Sequence, residues 1–144
     1  MKSIGCDVNS KQNKNANCVY FAAANGHLET VKYLVSVGGN PEARDDGGFT
    51  PIIVAAENGH VEVVQYLIEC GCSKNDKTSY DDSALIRAAI AGRYNVIEFL
   101  ISVRVNLNVK NKAGKTALDY AKENKNKGNN YSNIINILTR AGAK

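Results

Sequence analysis

Two histidines are the first residues of this chain to weigh for catalysis or metal binding. His27 and His60 each follow a glycine, in Gly-His pairs that recur at an interval of 33 in the numbering. A catalytic histidine needs one nucleophile or one set of metal ligands arranged around it, and a residue duplicated at a fixed interval does not acquire that arrangement twice. We therefore interpret both histidines as structural, with roles in helix capping and in hydrogen bonds between neighbouring segments.

Two pairs of carboxylates, Asp45-Asp46 and Asp81-Asp82, could act as an acid and a base or hold a cation. Gly47 and Gly48 follow the first pair, and aspartate beside glycine is typical of turns, where its side chain bonds to the nearby backbone. The sequence contains no glycine-rich phosphate-binding pattern. We expect turns at both pairs and assign no catalytic residue, no metal site and no cofactor.

Four cysteines could form a disulfide or zinc framework, but no C-x-x-C pair is present and neither histidine lies at ligand spacing from them. Cys6 and Cys72 are separated by twice the interval between the histidines, which is too far for a disulfide if successive segments stack at about 8–10 Å. We expect reduced thiols that pack as small apolar groups. The cysteines are Cys6, Cys18, Cys70 and Cys72.

Lysines cluster near the C-terminus of a chain whose formal net charge is +4. No stacking aromatic residues alternate with them, which favours a solvated face or cap, although the lysines could also attract an acidic protein partner. The alternative is electrostatic binding to nucleic acid or to an anionic membrane, with a steep dependence on salt. The clustered residues are Lys110, Lys112, Lys115, Lys122, Lys125 and Lys127.

Composition indicates a folded chain of 144 residues, 44% apolar and 22% charged. Only 7% of the residues are aromatic and tryptophan is absent, so small apolar side chains must supply most of the packing. No apolar stretch approaches the length of a membrane helix, and the first residues lack a signal-peptide pattern. We expect an intracellular protein, in the cytoplasm rather than the nucleus.

The elements that position all these residues repeat with the same period as the Gly-His pairs. Similar segments begin at Asn17, Thr50, Ser83 and Thr116, so that each start follows the previous one by the same interval. A fixed period of this size predicts a stacked array of one small unit, which presents an extended surface instead of a closed pocket.

Residues 50–71 show how one unit folds. Thr50 and Pro51 form a strong helix start, because the hydroxyl accepts free backbone N–H groups and proline has no N–H to satisfy. This first helix is predicted to run to about Asn58 and to end at a left-handed Gly59, and a second apolar periodicity from Val61 predicts a second helix. The polar stretch 72–82 should then return the chain as a loop or hairpin.

The motif Thr50-Pro51-Ile52-Ile53-Val54-Ala55-Ala56-Glu57-Asn58-Gly59-His60-Val61-Glu62-Val63-Val64 resembles the signature of the ankyrin-repeat family. Residues 26–34, from Gly26-His27 to Leu34, repeat its second half. This resemblance implies an all-α repeat solenoid of four stacked helix-loop-helix units with projecting β-hairpin or loop connections. The array should form a single domain over residues 1–144.

The unit boundaries follow from the period, with repeats at approximately 13–45, 46–78, 79–111 and 112–144. Residues 1–12 resemble the remnant of a preceding repeat or an N-terminal arm. The last unit is expected to be a C-terminal capping repeat, with an insertion near 126–131 that should be a mobile surface loop.

The family resemblance also implies a function: a non-catalytic scaffold, a monomer, that binds an unidentified protein and no small-molecule substrate. Family members use the hairpin tips and the exposed, concave side of the first helices. We prefer Phe49, Tyr80 and Arg87 as anchors, because aromatic and arginine side chains dominate interface energetics. The partner-binding candidates are Arg44, Asp46, Phe49, Lys77, Ser79, Tyr80, Asp82, Arg87, Lys110, Lys112 and Lys115, and the groove candidates are Phe21, Val54 and Tyr120, of which Phe21 and Tyr120 are expected to be partly buried.

The third unit departs from the pattern of the others. Arg104 occupies the position at which Gly38 and Gly71 end their helices, and Asp81 replaces the turn glycine, Gly47 or Gly48. Arg104 either adopts the left-handed conformation that favours glycine, at a cost of about 1 kcal/mol, or its helix ends differently from the others.

Overall fold

The computed structural model of the chain describes residues 18–143. Predictions for residues 1–17 and 144, including the repeat remnant at 1–12 and the state of Cys6, lie outside this range. Consecutive helices joined by short turns form four pairs. The helices are α1 (Cys18–Ala24), α2 (Leu28–Ser36), α3 (Pro51–Asn58), α4 (Val61–Glu69), α5 (Ala84–Ala91), α6 (Tyr94–Ser102), α7 (Ala117–Glu123) and α8 (Asn129–Ala141), with a 3₁₀-helix at Lys125–Lys127.

Hydroxyl caps begin three of the first helices at the predicted positions. Thr50, Ser83 and Thr116 occupy the same position in successive units, and each side-chain oxygen accepts a hydrogen bond at 3.2 Å from the N–H group three residues later. Thr116 and Asp119 complete a reciprocal capping box. Each cap satisfies a backbone donor that would otherwise lack a partner, and so fixes where the helix starts.

Alanine pairs form the contact between neighbouring first helices, as the sequence predicts. Ala55, Ala56, Ala88 and Ala89 have no exposed surface. Their short side chains let α1, α3, α5 and α7 pack on one another more extensively than α2, α4, α6 and α8 do. We call the exposed side of the first helices, which the family resemblance predicts to be concave, the concave surface.

The turn inside each unit is packed against the unit that follows. Gly26, Gly59 and Gly92 end α1, α3 and α5 with positive φ angles of 73°, 85° and 75°. A side chain of the next unit covers each glycine, namely His60, Arg93 and Tyr131 in that order. Glycine is needed at these positions for its backbone angle, and at Gly26 also because a Cβ atom would lie 2.5 Å from the ring of His60.

The histidines do not cap helices as predicted. His27 and His60 occupy the position before α2 and α4, but neither side chain makes a capping hydrogen bond. His60 instead places its ring over Gly26. Its role is therefore packing between units, which the repetition of the Gly-His pair does not by itself reveal.

The last unit differs from its prediction near residues 126–131, where a mobile loop was expected. A 3₁₀-helix and the first turn of α8 occupy this segment instead. Tyr131 is half-buried against Gly92, and its hydroxyl donates a hydrogen bond to the carbonyl oxygen of Ile90 at 2.9 Å. The insertion therefore lengthens α8 to 13 residues, and the tyrosine attaches it to the third unit.

No helix among residues 18–143 combines the length and the apolar character of a membrane span.

Arg104 adopts the left-handed conformation, with a φ angle of 64°, and so does Asp81, with a φ angle of 63° that was not predicted from the sequence. We expect Arg104→Gly to raise the free energy of unfolding by about 1 kcal/mol, because glycine adopts this angle without strain. Thermal unfolding checks this, with Arg140→Gly as the control. Arg140 lies within α8, where glycine should instead destabilise by about 1 kcal/mol. An unchanged or lower melting temperature for Arg104→Gly would contradict the prediction.

Candidate partner-binding surface

The three turns between units share one hydrogen-bonding design. Residues 45–49, 78–82 and 111–115 form turns that we call the hairpin ledge. In the first turn, Asp45 Oδ1 accepts hydrogen bonds at 2.9 Å from the N–H groups of Gly47 and Phe49. Thr78 and Asn111, at the same position of the other turns, accept the equivalent bonds with their side-chain oxygens. The side chains close the turns, and residues 18–143 contain one isolated antiparallel bridge, Lys77 to Ser83, in place of extended strands.

Backbone hydrogen bonds join the turns of the ledge to one another. The N–H group of Ser79 donates to the carbonyl oxygen of Gly47 at 2.9 Å, and that of Lys112 donates to the carbonyl oxygen of Tyr80 at 3.0 Å. The middle turn is therefore fixed on both sides, and the ledge is one continuous structure.

Arg44 supports the ledge from its first turn. Its guanidinium group donates hydrogen bonds at 2.9 Å to the carbonyl oxygens of Gly48 and Lys77, and it forms an ion pair with Asp76 at 3.3 Å. The residue is exposed, but its donors already have partners within the chain.

Arg87 lies at the centre of a charged cluster between the concave surface and the ledge. It forms ion pairs with Glu57 of the preceding unit and with Asp82, the latter at 3.0 Å, and its guanidinium lies 5.2 Å from the ring centre of Phe49. Burial opposes the charge of Arg87, but the hydrogen bonds to both carboxylates outweigh it and raise the pKa of the guanidinium. Its Nε is buried without a hydrogen-bond partner. The cluster therefore links two units.

Asp82 was predicted to contact a partner, but it is only 4% exposed. One carboxylate oxygen accepts from Arg87 and the other from Asn111 Nδ2 at 2.8 Å. The cause is its position at the base of the turn, where it faces α5 instead of solvent. We therefore remove Asp82 from the binding surface and assign it to the cluster.

Tyr120 and Lys115 extend the contacts into the last unit. Asn111 Nδ2 also donates to the hydroxyl of Tyr120 at 2.7 Å, and Lys115 Nζ lies 5.4 Å from the centre of that ring. Lys115 forms an ion pair with Glu123 at 2.5 Å, and this hydrogen bond raises the pKa of the lysine. Tyr120 is half-buried, as expected from the sequence.

Two aromatic side chains remain prominently exposed on this side of the molecule. Tyr80, at the tip of the middle turn, is 61% exposed, and Phe21, on α1, is 48% exposed. The sequence predicted Phe21 as partly buried, so its exposure is greater than expected. Val54, the groove candidate between Phe21 and Arg87, is buried and does not contribute to the surface.

The structure divides the other predicted site residues by exposure. Phe49, Arg87 and Lys115 are half-buried. The exposed candidates are Arg44, Asp46, Lys77, Ser79, Tyr80, Lys110 and Lys112.

The residues considered for catalysis and metal binding take structural positions. Asp45 bonds to its own turn and accepts a hydrogen bond at 2.6 Å from the hydroxyl of Tyr20. Burial, followed by this contact, raises the pKa of Tyr20. Within residues 18–143, no three histidine, cysteine or acidic side chains come together as a metal site would require.

The cysteines differ from one another in state. Cys70 and Cys72 are free thiols, as predicted, the first exposed and the second buried. Burial, and then the charge of Glu42, raises the pKa of Cys72 to about 12. Cys18 is disulfide-bonded, so the prediction of a reduced thiol there is wrong. The spacing argument considered Cys6 and Cys72 only and did not test the other pairs.

Sequence reasoning missed Asn111, which joins the ledge to α7, and Tyr20, which joins α1 to the first turn. Asn111 carried a signal, since it lies one period after Thr78 and two periods after Asp45, and all three have a short polar side chain. The sequence contains no such signal for Tyr20, because the equivalent positions of the other units are occupied by residues of other types, Ile53, Ile86 and Asp119.

The stacked helix pairs define the chain as an α-helical repeat protein, and comparison with protein families gives the kind of repeat. A family model described as ankyrin repeats in three copies matches residues 1–78, and an ankyrin-repeat model matches residues 80–112. The chain belongs to the ankyrin-repeat family, as its motifs predicted. No curated protein matches the chain.

Proposed function

We propose that this chain is a non-catalytic, intracellular and monomeric scaffold that binds a partner protein through the hairpin ledge and the concave surface. Ankyrin repeats generally mediate interactions between proteins. An extended surface of side chains held by a stacked array suits this role, because it offers many contacts and little enclosed volume.

The observation that carries the proposal is the exposure of Tyr80 on a turn that is already fixed. Backbone hydrogen bonds hold this turn to both of its neighbours, so binding need not order it. A tyrosine presented in this way buries a large apolar area at a small entropic cost. Tyr80 therefore has the properties of a binding hot spot.

Phe49 and Arg87 are less suitable as anchors than the sequence suggested, because each contributes to the fold. Both are half-buried, and the guanidinium of Arg87 is paired with two carboxylates. A change at either residue would alter the stability of the ledge together with its binding. In the proposed site, Phe49 and Arg87 stabilise the ledge that presents Tyr80.

The test compares two tyrosine variants in capture experiments from extracts of the cells that express the protein. Tyr80→Ala should weaken capture of the partner about 30-fold, the effect of losing a hot spot worth about 2 kcal/mol. Tyr33→Ala is the matched control, because Tyr33 is 57% exposed but lies on the outer helix α2. Capture by Tyr80→Ala at the level of the unsubstituted protein would contradict the site. Failure of the unsubstituted protein to capture any protein would contradict the function.

A further inference from the structure

Charge is distributed very unevenly along the array. Residues 18–104, which include the first three helix pairs, contain seven lysines and arginines against eleven aspartates and glutamates. Residues 105–143, with the last turn of the ledge and the last pair, contain seven basic residues against two acidic ones. The formal charge is therefore −4 over residues 18–78, zero over residues 79–104, which contain three basic and three acidic residues, and +5 over residues 105–143.

Five of the lysines in residues 105–143 are exposed and make no ion pair within the described residues. Both carboxylates of residues 105–143 are already occupied, since Asp119 belongs to the capping box of α7 and Glu123 pairs with Lys115. No acidic side chain of this segment remains to neutralise the five lysines. We call these lysines the basic end: Lys110, Lys112, Lys122, Lys125 and Lys127.

The two charged regions act separately in physiological salt. Neighbouring units stack at about 8–10 Å, so the first and fourth units lie about 30 Å apart, whereas charges are screened over about 8 Å. A bound chain therefore experiences a positive potential over the last unit and a negative one over the first two units, with a neutral unit between them. Such a partner chain binds best when the sign of its own charge changes along its length, so that each part is opposite in charge to the units it covers.

We propose that the basic end binds an acidic segment of a protein partner, and that the residues of the partner over the preceding units are neutral or basic. This inference rests on the proposed scaffold function and identifies the class of partner. Glutamate and aspartate side chains suit lysines, which act as point charges without a fixed geometry.

The structure favours a protein segment over nucleic acid. A nucleic acid strand is negatively charged along its whole length, so the acidic units would repel whatever extends beyond the basic end. Recognition of single strands also relies on exposed aromatic rings for stacking. Between Lys110 and Lys127 the one aromatic residue is Tyr120, which is half-buried and has Lys115 beside its ring. Tyr80, in the turn bonded to Lys112, offers one exposed ring, whereas binding of a strand uses a succession of rings.

The experiment uses the full chain and a fluorescein-labelled peptide of six glutamates followed by six glycines and serines, with binding measured by fluorescence anisotropy in 50 mM salt. The variant Lys110→Glu/Lys112→Glu should bind about tenfold more weakly than the unsubstituted protein. The control Lys32→Glu/Arg140→Glu makes the same change in net charge on the outer helices α2 and α8, and it should retain binding within about twofold. Circular dichroism establishes that both variants fold.

Three further probes distinguish the alternatives. A peptide that carries three lysines in its second half should bind more tightly than the original, because of the acidic units. A 20-nucleotide thymidine strand and phosphatidylserine vesicles should both bind more weakly than the peptide. Tighter binding of the strand or the vesicles would overturn the inference in favour of a nucleic acid or a membrane.

Absence of peptide binding, or binding that survives Lys110→Glu/Lys112→Glu, would also overturn the inference. The scaffold function would still stand in that case if Tyr80-dependent capture of a protein is observed. Conversely, peptide binding without capture of any protein would leave the charge preference intact and contradict the scaffold function on which it rests.

Discussion

Replacing Arg87 by alanine is expected to lower the free energy of unfolding by about 3 kcal/mol, the lower end of the range for breaking a buried ion pair. The substitution leaves Asp82, which is 4% exposed, with Asn111 as its remaining side-chain partner. It also removes the ion pair with Glu57 and the contact with Phe49. We choose the lower end of the range because the side chain of Arg87 is itself 22% exposed.

Urea unfolding of Arg87→Ala and Arg93→Ala tests this expectation. Arg93 is exposed, covers Gly59 and donates one hydrogen bond, at 2.9 Å, to the carbonyl oxygen of Glu57. Arg93→Ala should therefore lower the free energy of unfolding by about 1 kcal/mol. Equal losses for the two variants would show that the Arg87 cluster contributes no more than a surface contact. The loss expected for Arg87 also explains why this residue should not be used to test partner binding.

The second large effect is expected for Gly26→Ala, which should lower the free energy of unfolding by about 3 kcal/mol. Gly26 has a φ angle of 73°, which costs any other residue about 1 kcal/mol, and a Cβ atom there would lie 2.5 Å from Nδ1 of His60. Relief of such a contact in a packed structure costs about 1–3 kcal/mol more. Since the ring of His60 belongs to the next unit, the substitution should weaken the contact between the first two units.

Gly71→Ala is the matched control for backbone strain alone. Gly71 has a φ angle of 95° with no atom near the position of a Cβ, so we expect a loss of about 1 kcal/mol. The double variant Gly26→Ala/His60→Ala should be more stable than the sum of the single effects predicts, because removal of the ring relieves the contact. Strictly additive effects would show that Gly26 and His60 do not interact.

The constant period, the local helix signals and the resemblance to the ankyrin-repeat family together predicted the fold of the described chain. They placed the hydroxyl caps at Thr50, Ser83 and Thr116 and the short helix from Pro51 to Asn58, and they identified Arg104 as a residue that must be left-handed if its helix ends like the others. These features are local, because a cap or a backbone angle depends on residues within one turn of the chain. A repeated pattern strengthens such predictions, since each copy supports the others.

The candidate site could be predicted only in part. Position in the repeat placed Tyr80, Lys110 and Lys112 at exposed tips, as expected. The same reasoning gave Asp82 and Val54 as surface residues, and both are buried. Whether a side chain at a given repeat position faces solvent depends on what the adjacent unit places opposite it.

The sequence by itself determined the unit, its helices and its charge, because hydrogen bonds over three or four residues, apolar periodicity and composition are properties of the chain. The tertiary structure decided which side chains meet between units. The ion pair of Arg87 with Glu57, the ring of His60 over Gly26 and the packing of Tyr131 against Gly92 each join residues of adjacent units that are distant in the sequence. Those contacts depend on the spacing and orientation of neighbouring units, which are set by the packing of whole helices and not by any one residue.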